Sequence, residues 1–192
     1  MKPILFNTDM VRAILAGRKT VTRRVVRPQP PDNDPHNVCF DYIENGTAKF
    51  GLRNRPPHFV KSPYQPGDLL YVRETWCPYD RDHIIDGIKY AYKANTTPES
   101  DGVRQEYGYK WRPSIHMPKE AARIFLRVTG VRTEQLRDMT EGSARAEGFT
   151  GRAQAIKAIL TMYPNCTEDS WFWVNEFERI SREDARNDSG KN

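Results

Sequence analysis

Residues 16–26 read "AGRKTVTRRVV" and set Arg18, Lys19, Arg23 and Arg24 around a glycine and two threonines. Three readings are open for such a run: a solvated charged turn, a grip for phosphate, or the working part of an active site. Its surroundings narrow them. Upstream, "PILF" at 3–6 suits a short strand, and "NTDMVRAILAG" follows with Met10, Val11, Ile14 and Leu15 at helical spacing. Asn7 or Thr8 can cap that helix through a side-chain oxygen, and Gly17 is a natural C-terminal stop. Downstream, "VTRRVVRP" is rich in β-formers and ends at Pro28. The basic run is therefore expected to carry the chain from a helix through a turn into a strand.

Residues 27–66 hold many of the prolines, which cannot donate to a sheet ladder. Within them Asn45-Gly46, flanked by β-prone residues, signals a hairpin. This segment reads as an inserted, mostly exposed hairpin with proline-stiffened arms. "GDLLYVRETW" at 67–76 reads as a buried strand whose polar end, Arg73 and Glu74, emerges at a cleft. "IKYAYKA" at 88–94 is expected as a strand, "TTPESDGVRQEYG" at 96–108 as a loop, and 123–131 as a long strand. "MTEGSARAEGF" and "RAQAIKAILTMY" read as short helices, the first opened by Thr140. "SWFWVNEFERI" alternates strongly and should be a closing strand, followed by a polar, frayed tail over 181–192. Strands outnumber helices and do not form βαβ repeats. The expected fold is α+β, a small mixed β-barrel with flanking short helices, as one domain over 1–180 with an insertion at about 27–66.

The chain of 192 residues has a net charge of +5, and 29% of its residues are charged. That balance favours an anionic partner, nucleic acid first. Cys39, Cys77 and Cys166 are odd in number and widely spaced, with no CxxC or Cys/His cluster, so neither a zinc site nor a disulfide framework is indicated. The apolar stretch near the N-terminus is too short for a secretory signal, and no run approaches the ~18 apolar residues of a membrane span. The expectation is a reduced, soluble, cytoplasmic protein with no metal, no cofactor and no membrane partner.

Gly17 to Arg24 also reads as G-x-K-x-x-T-x-R, which resembles the signature of ASCH domains, a branch of the PUA-like β-barrel superfamily associated with RNA. The order of elements is similar as well: first strand, helix, signature, "GDLLYVRETW", "FLRVTGV", "EGF" and the closing "WFWVNEFERI". The resemblance covers most of 3–180, with the proline-rich segment as an insertion, and is nearest to ASCH-like proteins carried by bacteriophages and prophages. Lys19, Thr22 and Glu74 together resemble the catalytic set of a small bacterial ASCH-fold family that hydrolyses N4-acetylcytidine. The resemblance implies a threonine nucleophile, a lysine that activates it and a glutamate that assists proton transfer, with no metal. ASCH relatives also include RNA binders and ribonucleases, so a non-catalytic RNA or modified-base module and a metal-independent ribonuclease stay open.

Read physically, a lysine in such a cluster is either a point charge or, once desolvated or crowded by Arg18, Arg23 or Arg24, a base. A threonine needs such a base to act as a nucleophile. Glu74 equally suits a salt bridge with Arg73 or another arginine. A second candidate is "YKWRPSIHMPKEAAR", where Arg112, Ser114 and His116 offer a guanidinium, a hydroxyl and an imidazole to a nucleoside or RNA. Trp76 can stack a base, as can Tyr71 and Tyr92, although aromatics on alternating strands are more often core.

Overall fold

The structure is a computed structural model and describes residues 1–31, 37–79 and 89–189. Parts of three expected segments, the insertion at 32–36, the start of "IKYAYKA" at Ile88 and the tail at 190–192, lie outside the described residues. The chain separates into two compact units. The first comprises Met1–Gly17, Leu69–Leu126 and Arg179–Asn192; the second comprises Arg18–Asp68 and Arg127–Glu178. Strands and helices are mixed in both, as an α+β fold. Among the described residues the strands form no closed barrel.

In the first unit, β1 (Lys2–Leu5) pairs in parallel with β6 (Leu69–Arg73), Lys2 opposite Leu70 and Leu5 opposite Arg73. Helix α1 (Thr8–Leu15) begins at Asn7, whose side chain accepts the Met10 N–H at 2.9 Å, and buries Val11, Ala13 and Ile14. Gly17 follows at φ +70°, the left-handed conformation that ends the helix. β7 (Trp76–Pro78) pairs antiparallel with β8 (Tyr90–Tyr92), Trp76 opposite Tyr92. Residues 96–108, expected as a loop, contain α2 (Pro98–Glu106) instead. Pro98 fits the first helical turn, and Thr97 and Ser100 bond each other's backbone N–H groups in a capping box. The tail expected to fray is also helical over α5 (Arg182–Ser189): Ser181 accepts the Asp184 N–H, and Ala185 is buried against Trp76, Met117 and Phe125.

In the second unit, β2 (Val21–Val25) pairs antiparallel with β10 (Trp171–Ile180), which in turn neighbours β9 (Phe125–Gln135). β9 and β10 each begin or end in the first unit. The insertion is a three-stranded sheet rather than a hairpin alone: β3 (Val38–Glu44), β4 (Thr47–Leu52) and β5 (Arg55–Lys61). Asn45 and Gly46 both take positive φ, the two-residue turn their pairing predicts. Pro56 and Pro57 sit on the outer strand β5, where a missing donor is tolerated. The sheet is not merely a surface decoration. Val38, Ala48, Phe50 and Val60 are buried with Val26, Trp171 and Trp173, because β4 alternates and turns one face inward. Helices α3 (Glu141–Ala146), capped by Thr140, and α4 (Arg152–Met162) pack around Leu136, Met139 and Phe172. No described helix is long and apolar enough to cross a membrane.

Candidate functional site

The opening run does become a turn and a strand, and the strand's alternation sorts its side chains. Thr20 accepts the Phe177 N–H and Val26 donates to Trp171, so the even-numbered residues of β2 face β10 with their backbone groups. The backbone groups of Val21 and Arg23 point the other way, to the edge of the sheet. Lys19 and Glu147 occupy that edge. The Lys19 ammonium donates to the Val21 carbonyl at 2.7 Å, to the Glu147 carbonyl at 2.8 Å and to Glu147 Oε1 at 3.3 Å. Glu147 Oε1 accepts the Arg23 N–H at 2.8 Å, and its Oε2 accepts from Arg23 Nη1 at 2.6 Å.

Both lysine and carboxylate are buried, at 3% and 4% exposure. Burial lowers the Lys19 pKa from 10.5 to about 8; the Glu147 charge opposes that shift, and Arg24 and Arg23 add to it. For Glu147 burial alone would raise the pKa, but the Lys19 and Arg23 charges and the Arg23 hydrogen bonds outweigh it and hold the carboxyl below its ordinary value. Arg23 is also buried, and its guanidinium reaches Glu134 and, at 2.6 Å, Ser143 Oγ.

Thr22 and Arg24 project from the opposite face to Arg23. Thr22 is 1% exposed, and its Oγ1 accepts from Arg24 Nη1 at 2.8 Å. Directly opposite on β10 lies Asn175, whose Nδ2 donates to the Thr22 carbonyl at 3.3 Å. Among the described residues the buried Asn175 Oδ1 has no hydrogen-bond partner. Arg18 is exposed.

Glu74 belongs to the first unit. It is buried and takes two side-chain bonds from Arg123, Nε to Oε1 at 2.9 Å and Nη2 to Oε2 at 3.0 Å. Arg123 lies 4.0 Å over the Tyr92 ring and donates to Asn95 Oδ1 at 3.1 Å. Arg73 turns to the carbonyls of Met117, at 2.8 Å, and Ile115. Trp76 is buried against Tyr90, with Arg112 5.6 Å from its ring, so it is core rather than an open stacking face. Arg112 and His116 are exposed and Ser114 is half-buried; Ser114 and His116 share one 3-10 turn.

Lys19, Thr22, Arg23 and Arg24 thus gather in the second unit, and Glu74, Arg73, Trp76, Arg112, Ser114 and His116 in the first. Sequence reading missed Glu147, Glu134, Asn175 and Arg123. Glu147 stood in plain view in "AEGF", one residue beyond a helix capped by Thr140. Its role depends on a pairing across more than a hundred residues, which no local pattern encodes. Among the described residues no three His, Cys, Asp or Glu side chains group as a metal site requires.

No protein-family model matches the chain, and no curated protein matches it. Among solved structures it is similar to a protein from Enterococcus faecalis V583 assigned to DUF984. The identity is 13%, 94% of this chain and 82% of that chain are covered, and the TM-score is 0.41.

Proposed function

We propose that the protein is a PUA-like, ASCH-type enzyme of the cytoplasm that hydrolyses N4-acylated cytidine, free or in RNA. The observation that carries this reading is the buried Lys19 ammonium, whose pKa falls to about 8, three residues before Thr22. A lysine that discharges near pH 8 can take a hydroxyl proton above that pH. Thr22 Oγ1 attacks the acyl carbonyl carbon, and its proton passes to Lys19 Nζ. The tetrahedral intermediate expels the exocyclic nitrogen of cytidine, which takes that proton. Water then cleaves the threonine ester, releasing the carboxylic acid and restoring Thr22. Arg24, which donates to Thr22 Oγ1, orients the Thr22 hydroxyl.

A second reading, recognition of RNA or a modified base without turnover, draws on two observations. The Lys19 ammonium already serves two carbonyls and a carboxylate, and Thr22 is 1% exposed. One experiment separates them: the full chain is incubated with N4-acetylcytidine, and released cytidine is followed by chromatography. The first reading expects turnover that rises as pH passes about 8, with Lys19→Met and Thr22→Val each lowering kcat/KM by about 10²-fold or more. Turnover that survives both substitutions sinks the assigned mechanism. No turnover, with RNA affinity that falls steeply with salt, establishes the second reading.

A further inference from the structure

The first unit contains a cavity of about 200 Å³ between strand β8, helix α2 and the segment just before β9. Its lining includes Tyr79, Tyr90, Tyr92, Trp111, Arg104 and Arg123. The two arginines are built alike. Arg104 lies 4.8 Å over Trp111 and pairs with Asp101 at 2.8 Å; Arg123 lies 4.0 Å over Tyr92 and pairs with Glu74 at 2.9 Å. Trp111 is itself fixed, its Nε1 donating to Asp101 at 3.0 Å. Each guanidinium is therefore locked in plane by a carboxylate and a ring, and its charge is balanced. Arg104 Nη2 and Arg123 Nη1 have no hydrogen-bond partner among the described residues, so each retains an unspent donor. Arg104 also donates from Nη1 to the Tyr109 carbonyl.

Flat rings, flat guanidinium groups and two held N–H donors in a neutral pocket suit one ligand chemistry. A planar heteroaromatic ring stacks on the walls and offers carbonyl or ring-nitrogen acceptors to the donors. The volume lies below the ~300–1,000 Å³ of pockets for drug-sized ligands, which restricts the occupant to a single base-sized group. Because Asp101 and Glu74 cancel the arginine charges, a phosphate adds nothing. We propose that this cavity is a nucleobase-binding site, one that recognises the base and ignores the phosphate. The site is built wholly from the first unit and needs neither Lys19 nor Thr22.

The test is a titration of the ¹⁵N-labelled full chain with cytidine, uridine, adenosine and guanosine at low-millimolar concentration, with cytidine monophosphate as a further arm. The indole N–H of Trp111, assigned by Trp111→Phe, reports the pocket directly. At least one nucleoside is expected to shift that signal saturably, and the monophosphate is expected to bind as its nucleoside does. Arg104→Met and Tyr90→Leu should each weaken binding by about tenfold or more. If either variant fails to fold, the wild-type Trp111 shift still decides. Four outcomes overturn the proposal: no nucleoside binds; shifts occur while Trp111 is unmoved; folded variants bind as tightly as wild type; or the monophosphate binds much more tightly than cytidine in a salt-dependent way. None of these depends on turnover, so its failure is distinct from failure of the hydrolase reading.

Discussion

Glu147 in the second unit and Glu74 in the first are both buried carboxylates held by guanidinium groups, yet they are held differently. Glu74 meets one arginine, with both oxygens occupied in parallel. Glu147 is divided between Arg23, which takes a backbone and a side-chain bond, and Lys19, left with a longer 3.3 Å contact. Sharing has a chemical result. A buried ammonium that owns only part of a counter-charge is under-compensated for its lost hydration, so it releases its proton easily. An arginine cannot respond in that way, since it stays charged throughout the accessible pH range. The difference separates a pair that fixes geometry from a cluster able to move a proton.

The widest gap should appear on neutralising each carboxylate. Glu147→Gln leaves two buried cations without their common partner and is expected to cost about 3–5 kcal/mol in urea unfolding. Glu74→Gln should cost less, about 1–3 kcal/mol, because Arg123 is partly exposed and keeps its Tyr92 and Asn95 contacts. Equal losses would erase the distinction.

The proton itself gives the next effect. Lys19 binds its proton more weakly in the folded chain, at about 8, than the 10.5 of an unperturbed lysine. Between those values the unfolded chain holds more protons, so the lysine's contribution to stability rises with pH. Subtracting the unfolding profile of Lys19→Met should reveal that rise, up to about 3 kcal/mol across the window. A flat difference would mean that the ammonium is fully compensated. Glu147 has the same sign at the acid end: its contribution is complete above its ordinary value of 4.5 and is lost as pH falls through its lowered one. The smallest effect concerns α2, a wall of the proposed base pocket. Thr97→Ala removes one arm of its capping box and should cost about 1 kcal/mol, with ligand affinity reduced only as far as the helix loosens.

Local signals were legible and long-range ones were not. The Asn7 cap, the Gly17 stop and the Asn45-Gly46 turn each rest on neighbouring residues and appear where the sequence placed them; the strand β10 is there too, but Trp171 to Asn175 are buried on both of its faces rather than alternating. Helix α2 was misread although its capping box is equally local. Its start, Thr97-Pro98 with Ser100 three residues after the cap, is the local signal that a helix follows. The inward face of the inserted sheet was hidden because its partners, Trp171 and Trp173, lie more than a hundred residues away. The site divides along the same line. Lys19, Thr22 and Glu74 attract attention by residue type, whereas Glu147 and Arg123 acquire their roles only when distant segments meet.

The arrangement around β2 has one more consequence. A strand at the border of a sheet offers bare N–H and C=O groups to any extended peptide, its own copies included. On β2 the Val21 carbonyl is taken by a lysine and the Arg23 N–H by a glutamate. Two side chains of opposite charge thus stand where a further strand would dock. The same buried pair thereby guards the sheet against edge-to-edge aggregation.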